Sequence, residues 1–272
     1  MKMKIGIAGL CLLVAAVSAY AGPVLGPNLS TFAILGGAGV AINGTGSVIT
    51  GSVGGCCNAT AVTGVIPTNF TISGGTVQMG GATATSAQTE LGAAILTLSA
   101  LSTGPVTPEN SGLGGLTLAP GVYTSSSTMD LTGTLTLDGK GLANPVWVFL
   151  VGSALNTASS SDINFINTGS GAGAVYWVLA TTSGSATLGS NSTFEGNIFA
   201  NQSITLGTNV IDSCGGFFTQ VASVTLAGTD TIGMGCSSSG TSGGTTPEPA
   251  SLLLLGTGLL GCAGVLRRKL LA

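Results

Sequence analysis

The side chains best equipped for proton chemistry in the central chain are eight carboxylates: Glu90, Glu109, Asp130, Asp138, Asp162, Glu195, Asp212 and Asp230. A pair of them would suit glycoside hydrolysis, one as acid and one as base or nucleophile. No two are adjacent, and a pair such as Glu195 and Asp212 could meet only if the chain coils back on itself. The other tools are missing. There is no histidine, and Lys140 is the only basic residue between Lys4 and Arg267. Such a chain cannot neutralise the carboxylate of an acidic sugar at a lyase site. It cannot hold nucleic acid through clustered phosphate contacts either. No serine or threonine has a base partner in a recognisable motif, and no cofactor motif is evident. The carboxylates read as solvated turn and strand residues, and the protein as a non-enzyme.

Six cysteines remain. Cys11 and Cys262 fall in terminal segments, and Cys56, Cys57, Cys214 and Cys236 in the part between. Adjacent Cys56 and Cys57 are poor partners for each other, and bridges to Cys214 and Cys236 suit an oxidising compartment. Spacing leaves their connectivity open. A metal site would lack histidine and CxxC spacing, so none is expected.

The two ends carry addresses. "MKMKIGIAGLCLLVAAVSAYA" has a basic start, an apolar middle and a small-residue exit, the pattern of a secretory signal over 1–21. An uncleaved N-terminal anchor is the alternative. "TPEPASLLLLGTGLLGCAGVLRRKLLA" holds Pro247-Glu248-Pro249, an apolar helix over 250–266 and the basic cluster Arg267, Arg268 and Lys269. The apolar run is just long enough to span a bilayer, and the basic cluster would hold its end inside. This tail resembles the PEP-CTERM sorting signal of Gram-negative bacteria. The resemblance implies an exosortase as partner, and delivery to the cell surface or extracellular matrix. A plain membrane anchor is the alternative; in either case membrane contact is confined to this helix. The stretch 236–246 is a Gly/Ser/Thr linker, which leaves 22–235 as one folded domain.

Charged residues are 6% of the chain and glycines number 46, against about 25% charged in ordinary soluble domains. Three stretches repeat Ser-x-Thr-Leu, beginning at Ser185, Ser203 and Ser223. A repeat this short must stack on its neighbours to bury a core. Its period-2 alternation, punctuated by Gly and Asn, predicts short strands wound into a β-solenoid. Leu188, Leu206 and Leu226 then form an inward ladder, with Ile198 and Phe218 in another. Thr187, Thr205 and Thr225 form an outward file spaced by about 4.8 Å. Trp147, Tyr176 and Trp177 sit in apolar strands and read as core. One segment breaks the pattern: "GATATSAQTELGAAILTLSALS" carries Leu91, Ala94, Ile95 and Leu98 at helical spacing, which predicts one long helix over about 82–102 lying along the solenoid.

Threonine offers a hydroxyl and a methyl on a stiff side chain, so an uncharged file of threonines suits ordered water. In the same chain "NLSTFAILGGAGVAINGTGSVITGSVG" (from Asn28), "GGLTLAPGVYTSSSTMDLTGTLTLDG" (from Gly114), "PVWVFLVGSALNTASSS" (from Pro145) and "SATLGSNSTFEGNIFANQSITLG" (from Ser185) resemble the microbial ice-binding protein family, the DUF3494 domain. The resemblance spans nearly the whole domain. It implies a mainly β fold, a right-handed β-helix of triangular section with one long α-helix packed alongside. It also implies ice as the partner of one flat face. The family pattern there is roughly Thr-Ala/Gly-x-Thr/Asn. "TASS" from Thr157 keeps its first half; "LGSN" from Leu188 and "LGTN" from Leu206 keep the later positions with Leu first. Candidate contacts are therefore Thr157, Ser159, Thr187, Gly189, Asn191, Thr205, Thr208, Asn209 and Thr225. Asn191 and Asn209 are equally well read as turn residues in left-handed geometry. The alternative function is a structural or adhesive extracellular-matrix protein that binds polysaccharide, exopolysaccharide included, or cells.

Overall fold

The computed structural model describes residues 24–56, 61–64, 69–103, 107–108, 112–169 and 173–233. The signal segment 1–21, the linker 236–246 and the tail 247–272 lie outside them, with its Pro247, Glu248, Pro249, Arg267, Arg268 and Lys269. So do Cys57, Glu109 and Cys236. Cys56 and Cys214 are each disulfide-bonded.

Among the described residues the strands form three parallel sheets of nine, seven and eight strands. From Gly121 onward each turn of chain gives one strand to each sheet. Val146–Val151, Ala154–Thr157 and Asp162–Ile166 make one turn, and Ala174–Leu179, Ser185–Leu188 and Thr193–Phe194 make the next. Two more follow: Asn197–Ala200, Ile204–Leu206 and Ile211–Asp212, then Phe217–Thr219, Ser223–Leu226 and Thr231–Gly233. The expected β-solenoid is present.

The turns do not stack in chain order. Phe32–Gly36 pairs with Phe217–Thr219, Gly39–Ile42 with Ser223–Leu226, and Ser47–Thr50 with Thr231–Gly233. The first turn of chain therefore docks on the last. The chain then winds away to Val77–Met79, one edge of the nine-stranded sheet, and resumes at Thr107–Pro108, the opposite edge. Helix α1, Gly81–Ser99, lies between the two in the chain, and the short 3-10 turn Ala100–Thr103 continues it. Its 19 residues extend about 28 Å, much of the roughly 38 Å that nine strands occupy.

Helix α1 forms because its apolar residues recur on one face. Ala84, Ala87, Leu91, Ile95 and Leu98 are buried against Phe32, Leu35, Val148, Val178, Phe199 and Phe218 on the outer side of the nine-stranded sheet. Its threonines turn away and satisfy their hydroxyls locally: Thr85, Thr89 and Thr97 each donate to the carbonyl four residues back. Each fully buried Leu contributes about 2–3 kcal/mol. This sheet is consequently apolar on both sides, which corrects one expectation. Ile198 is in register with Phe217, and Phe199 with Phe218. Ile198 belongs to the interior ladder, whereas Phe218 lies under α1. With both faces buried, alternation carries no information about phase.

The interior is a set of ladders. Leu188, Leu206 and Leu226 are in register and buried, as expected. Tyr123, Phe149 and Trp177 are also in register, with stacked rings 5.3 and 4.0 Å apart. Trp147 and Trp177 donate their indole N–H groups to the carbonyls of Leu118 and Glu195, both at 3.1 Å. Burying the two indoles thus leaves no orphaned donor.

Candidate functional site

The nine-stranded sheet is covered by α1, so the outward surfaces of the other two are the ones a partner can reach. On the seven-stranded sheet Thr187 pairs with Thr205, and Thr205 with Thr225. The three point outward because their neighbours Ala186, Leu188, Ile204, Leu206, Val224 and Leu226 are buried, and successive strand residues face opposite ways. The file continues through docking of the first turn: Thr225 is in register with Ala41, and Ala41 with Thr63. A second, parallel file of small residues includes Ser185, Ser223 and Gly39. None of these positions ionises.

The other candidates are dispersed around this face. Thr157 turns inward. It is in register with the buried Leu131 and is only 7% exposed, and its hydroxyl accepts the Gly189 N–H at 2.9 Å. Gly189 acts through its backbone: a Cβ there would sit 2.4 Å from the Ala158 carbonyl carbon. Ser159 and Thr208 are exposed at the corner between the seven- and eight-stranded sheets, where the Thr208 N–H donates to Ser190 Oγ.

Asn191 and Asn209 occupy the same corner with φ of 56° and 61°. They fill the left-handed position that turns the chain from one sheet to the next, and Ser160 and Thr229 share it at φ 59° and 36°. Asparagine tolerates this region better than most residues. The two amides are also linked, Asn209 Nδ2 donating to Asn191 Oδ1 at 3.0 Å.

Sequence reasoning missed four members of the file: Asp130, Asn156, Ala41 and Thr63. Asn156 is in register with Thr187 and Asp130 with Asn156. Their signal was the alternation Met129-Asp130-Leu131 and Leu155-Asn156-Thr157. Ala41 and Thr63 carry no local signal, since only docking of the first turn aligns them.

The eight-stranded sheet offers a mixed surface. Its outward file runs Thr134, Asp162, Thr193, Ile211, Thr231, Val48 and Thr71. It contains a carboxylate and the exposed side chains of Ile211 and Val48. At its border Glu195 is nearly buried and accepts a hydrogen bond from Ser213 at 2.8 Å. Burial raises its carboxyl above the usual range, with Asp162 adding to the effect. Asp212 is fully buried and raised well above its ordinary value, chiefly by desolvation. Glu195 and Asp212 do interact, as Glu195 further raises Asp212. Among the described residues Glu195 Oε2 and Asp212 Oδ2 find no hydrogen-bond partner, and both are shut away from solvent, so the pair presents no open cleft to a sugar chain. Trp147 and Trp177 are buried, and Tyr176 packs beneath α1, so none of the three offers a stacking platform to a saccharide.

The family model for ice-binding-like proteins matches residues 34–232, and the PEP-CTERM protein-sorting motif matches residues 245–269. The chain is 39% identical to an ice-binding protein of Nostoc sp. (strain HG1) over 245 residues, covering 88% of this chain and 85% of that protein. Among solved structures, the ice-binding protein of the Antarctic ascomycete Antarctomyces psychrotrophicus superposes with a TM-score of 0.67 at 31% identity, over 77% of this chain and 97% of that one. The DUF3494 domain of Shewanella frigidimarina ice-binding protein 1 gives a TM-score of 0.67 at 25% identity, over 76% and 95%. The solenoid, the helix along it and a family match that runs from the first turn to the last agree: the chain belongs to the ice-binding-like family.

Proposed function

We propose that the protein binds ice through the outward face of the seven-stranded sheet, without catalysing a reaction, and does so outside the cytoplasm. The observation that carries this reading is the uncharged file Thr187, Thr205, Thr225, Ala41 and Thr63, aligned by backbone pairing. Methyl and hydroxyl groups repeat there at the strand spacing of about 4.8 Å. The file can order water by hydrogen bonds while its methyl groups lose hydration cheaply. Stiff β-branched side chains on a packed solenoid leave little entropy to lose on adsorption. The relatives named as ice-binding proteins support the same partner. The N-terminal signal pattern and the sorting motif support export, processing by an exosortase and retention at the cell surface or matrix.

The test is thermal hysteresis and inhibition of ice recrystallisation on residues 22–246. Thr187→Lys, Thr205→Lys and Thr225→Lys are each expected to abolish both while the circular dichroism spectrum stays unchanged. Full activity in the three folded variants would move the contact off this face. No activity in the folded parent would favour the matrix-adhesive alternative.

A further inference from the structure

The outward file does not stop at Thr187. Asn156 follows in register and then Asp130, so threonine gives way first to an amide and then to a carboxylate. Both oxygens of that carboxylate hold neighbours from the same surface. Asn156 Nδ2 donates to Oδ1 at 3.0 Å, and Thr128 Oγ1 donates to Oδ2 at 3.3 Å. In the opposite direction the file runs through Thr225, Ala41 and Thr63 and, among the described residues, meets no ionisable group. The face is therefore asymmetric, with one charged end.

A carboxylate orders water around its own charge, and removing that shell is costly unless the charge is paired. Ice offers no counter-charge. Asp130 also engages one Asn156 amide N–H and the Thr128 hydroxyl, so these two donors are already spent within the protein. We infer that Asp130 is a specificity-determining residue that terminates the ice-contacting face and confines it to the five rungs Thr187, Thr205, Thr225, Ala41 and Thr63. The inference rests on the reading of that face as the ice contact. Removing the charge extends the face by the rungs of Asn156 and residue 130, about 10 Å at the strand spacing. Backbone groups hold the strand at this point: the Leu113 N–H donates to the Asp130 carbonyl at 2.8 Å. The side chain can be exchanged without loss of that bond, and threonine suits a strand.

The experiment compares thermal hysteresis of the full chain with that of Asp130→Thr, Asp130→Asn, Asp162→Asn and Thr205→Lys, each checked for fold by circular dichroism. Asp162 supplies the control, an outward carboxylate on the eight-stranded sheet. Adsorption constants depend exponentially on contact free energy, so Asp130→Thr and Asp130→Asn are expected to raise hysteresis about twofold or more. Asp162→Asn is expected to leave it unchanged and Thr205→Lys to abolish it. If Thr205→Lys abolishes activity but both folded Asp130 variants stay at or below the parent, Asp130 does not bound the face and the inference fails alone. An equal gain from Asp162→Asn would assign the effect to net charge and also overturn it. If Thr205→Lys leaves hysteresis intact, the face itself is wrong and the role of Asp130 falls with it.

Discussion

The Thr157 hydroxyl accepts a hydrogen bond from the Gly189 N–H at 2.9 Å, joining two successive turns of the solenoid from the inside. Thr157 occupies a rung that leucine fills in its neighbours, and its polarity is spent on one backbone donor. A threonine in a family-like Thr-Ala-Ser motif is here a structural residue, and the exposed threonine surface lies one residue away along the strand.

Thr157→Val keeps the shape and removes the acceptor. The Gly189 N–H then loses its partner in a half-buried place, at a cost of about 1 kcal/mol. Urea unfolding should show this as a lower midpoint with an unchanged slope. Hysteresis per folded molecule should not change, and a loss of activity without a loss of stability would return Thr157 to the contact surface.

Asn209 is held at φ 61°, where an ordinary side chain costs about 1–2 kcal/mol. Asn209→Ala should lower the melting temperature, whereas Asn209→Gly, which reaches the same φ freely, should come close to the parent. The turn role expects hysteresis to follow stability in both variants. A folded, stable Asn209→Gly without hysteresis would assign the amide to the ice contact.

Burial raises the Asp230 carboxyl from 3.8 to about 6, against the hydrogen bonds it accepts from the Val210 and Gly228 N–H groups. Its folded form thus holds the proton more tightly than the unfolded chain does. The stabilising contribution is complete below the unfolded value, about 4, and disappears as pH rises through about 6. Asp212 and Glu195 are shifted in the same direction. The melting temperature should therefore fall between roughly pH 4 and pH 6. Asp230→Asn should flatten this slope and raise the melting temperature at pH 7. A melting temperature that rises over the same interval in the parent would contradict the assignment.

Glu90 on α1 accepts the N–H groups of Asn28 and Leu29, at 3.0 and 2.7 Å, and the Asn28 amide at 2.7 Å. It ties the start of the folded chain to the helix that runs along the solenoid. Glu90→Ala strands these donors and should cost about 2–3 kcal/mol, with earlier hydrogen exchange at residues 28–31 than in the rest of the solenoid. Equal destabilisation without local exchange would mean that the contact does not hold the N-terminal turn.

Much of the candidate site was legible in the residues. Ser-x-Thr-Leu recurring from Ser185, Ser203 and Ser223 is enough to align Thr187, Thr205 and Thr225 outward and Leu188, Leu206 and Leu226 inward. In a parallel coil, equal offsets point the same way, and leucine states which side is the interior. The helix was equally legible, because Leu91, Ala94, Ile95 and Leu98 keep one face in a segment with no strand period. Tertiary structure alone decided three things. The phase of Ile198 against Phe218 depended on α1, which makes both sides of their sheet apolar and erases the alternation. The side taken by Thr157 depended on a backbone donor one turn away, since threonine is small and polar enough for either. The extent of the face depended on docking of the first turn of chain on the last, which brings Ala41 to Thr225 across the whole domain. Local periodicity reports only what neighbouring residues bury. It is silent about a pairing whose partners are separated by the entire fold.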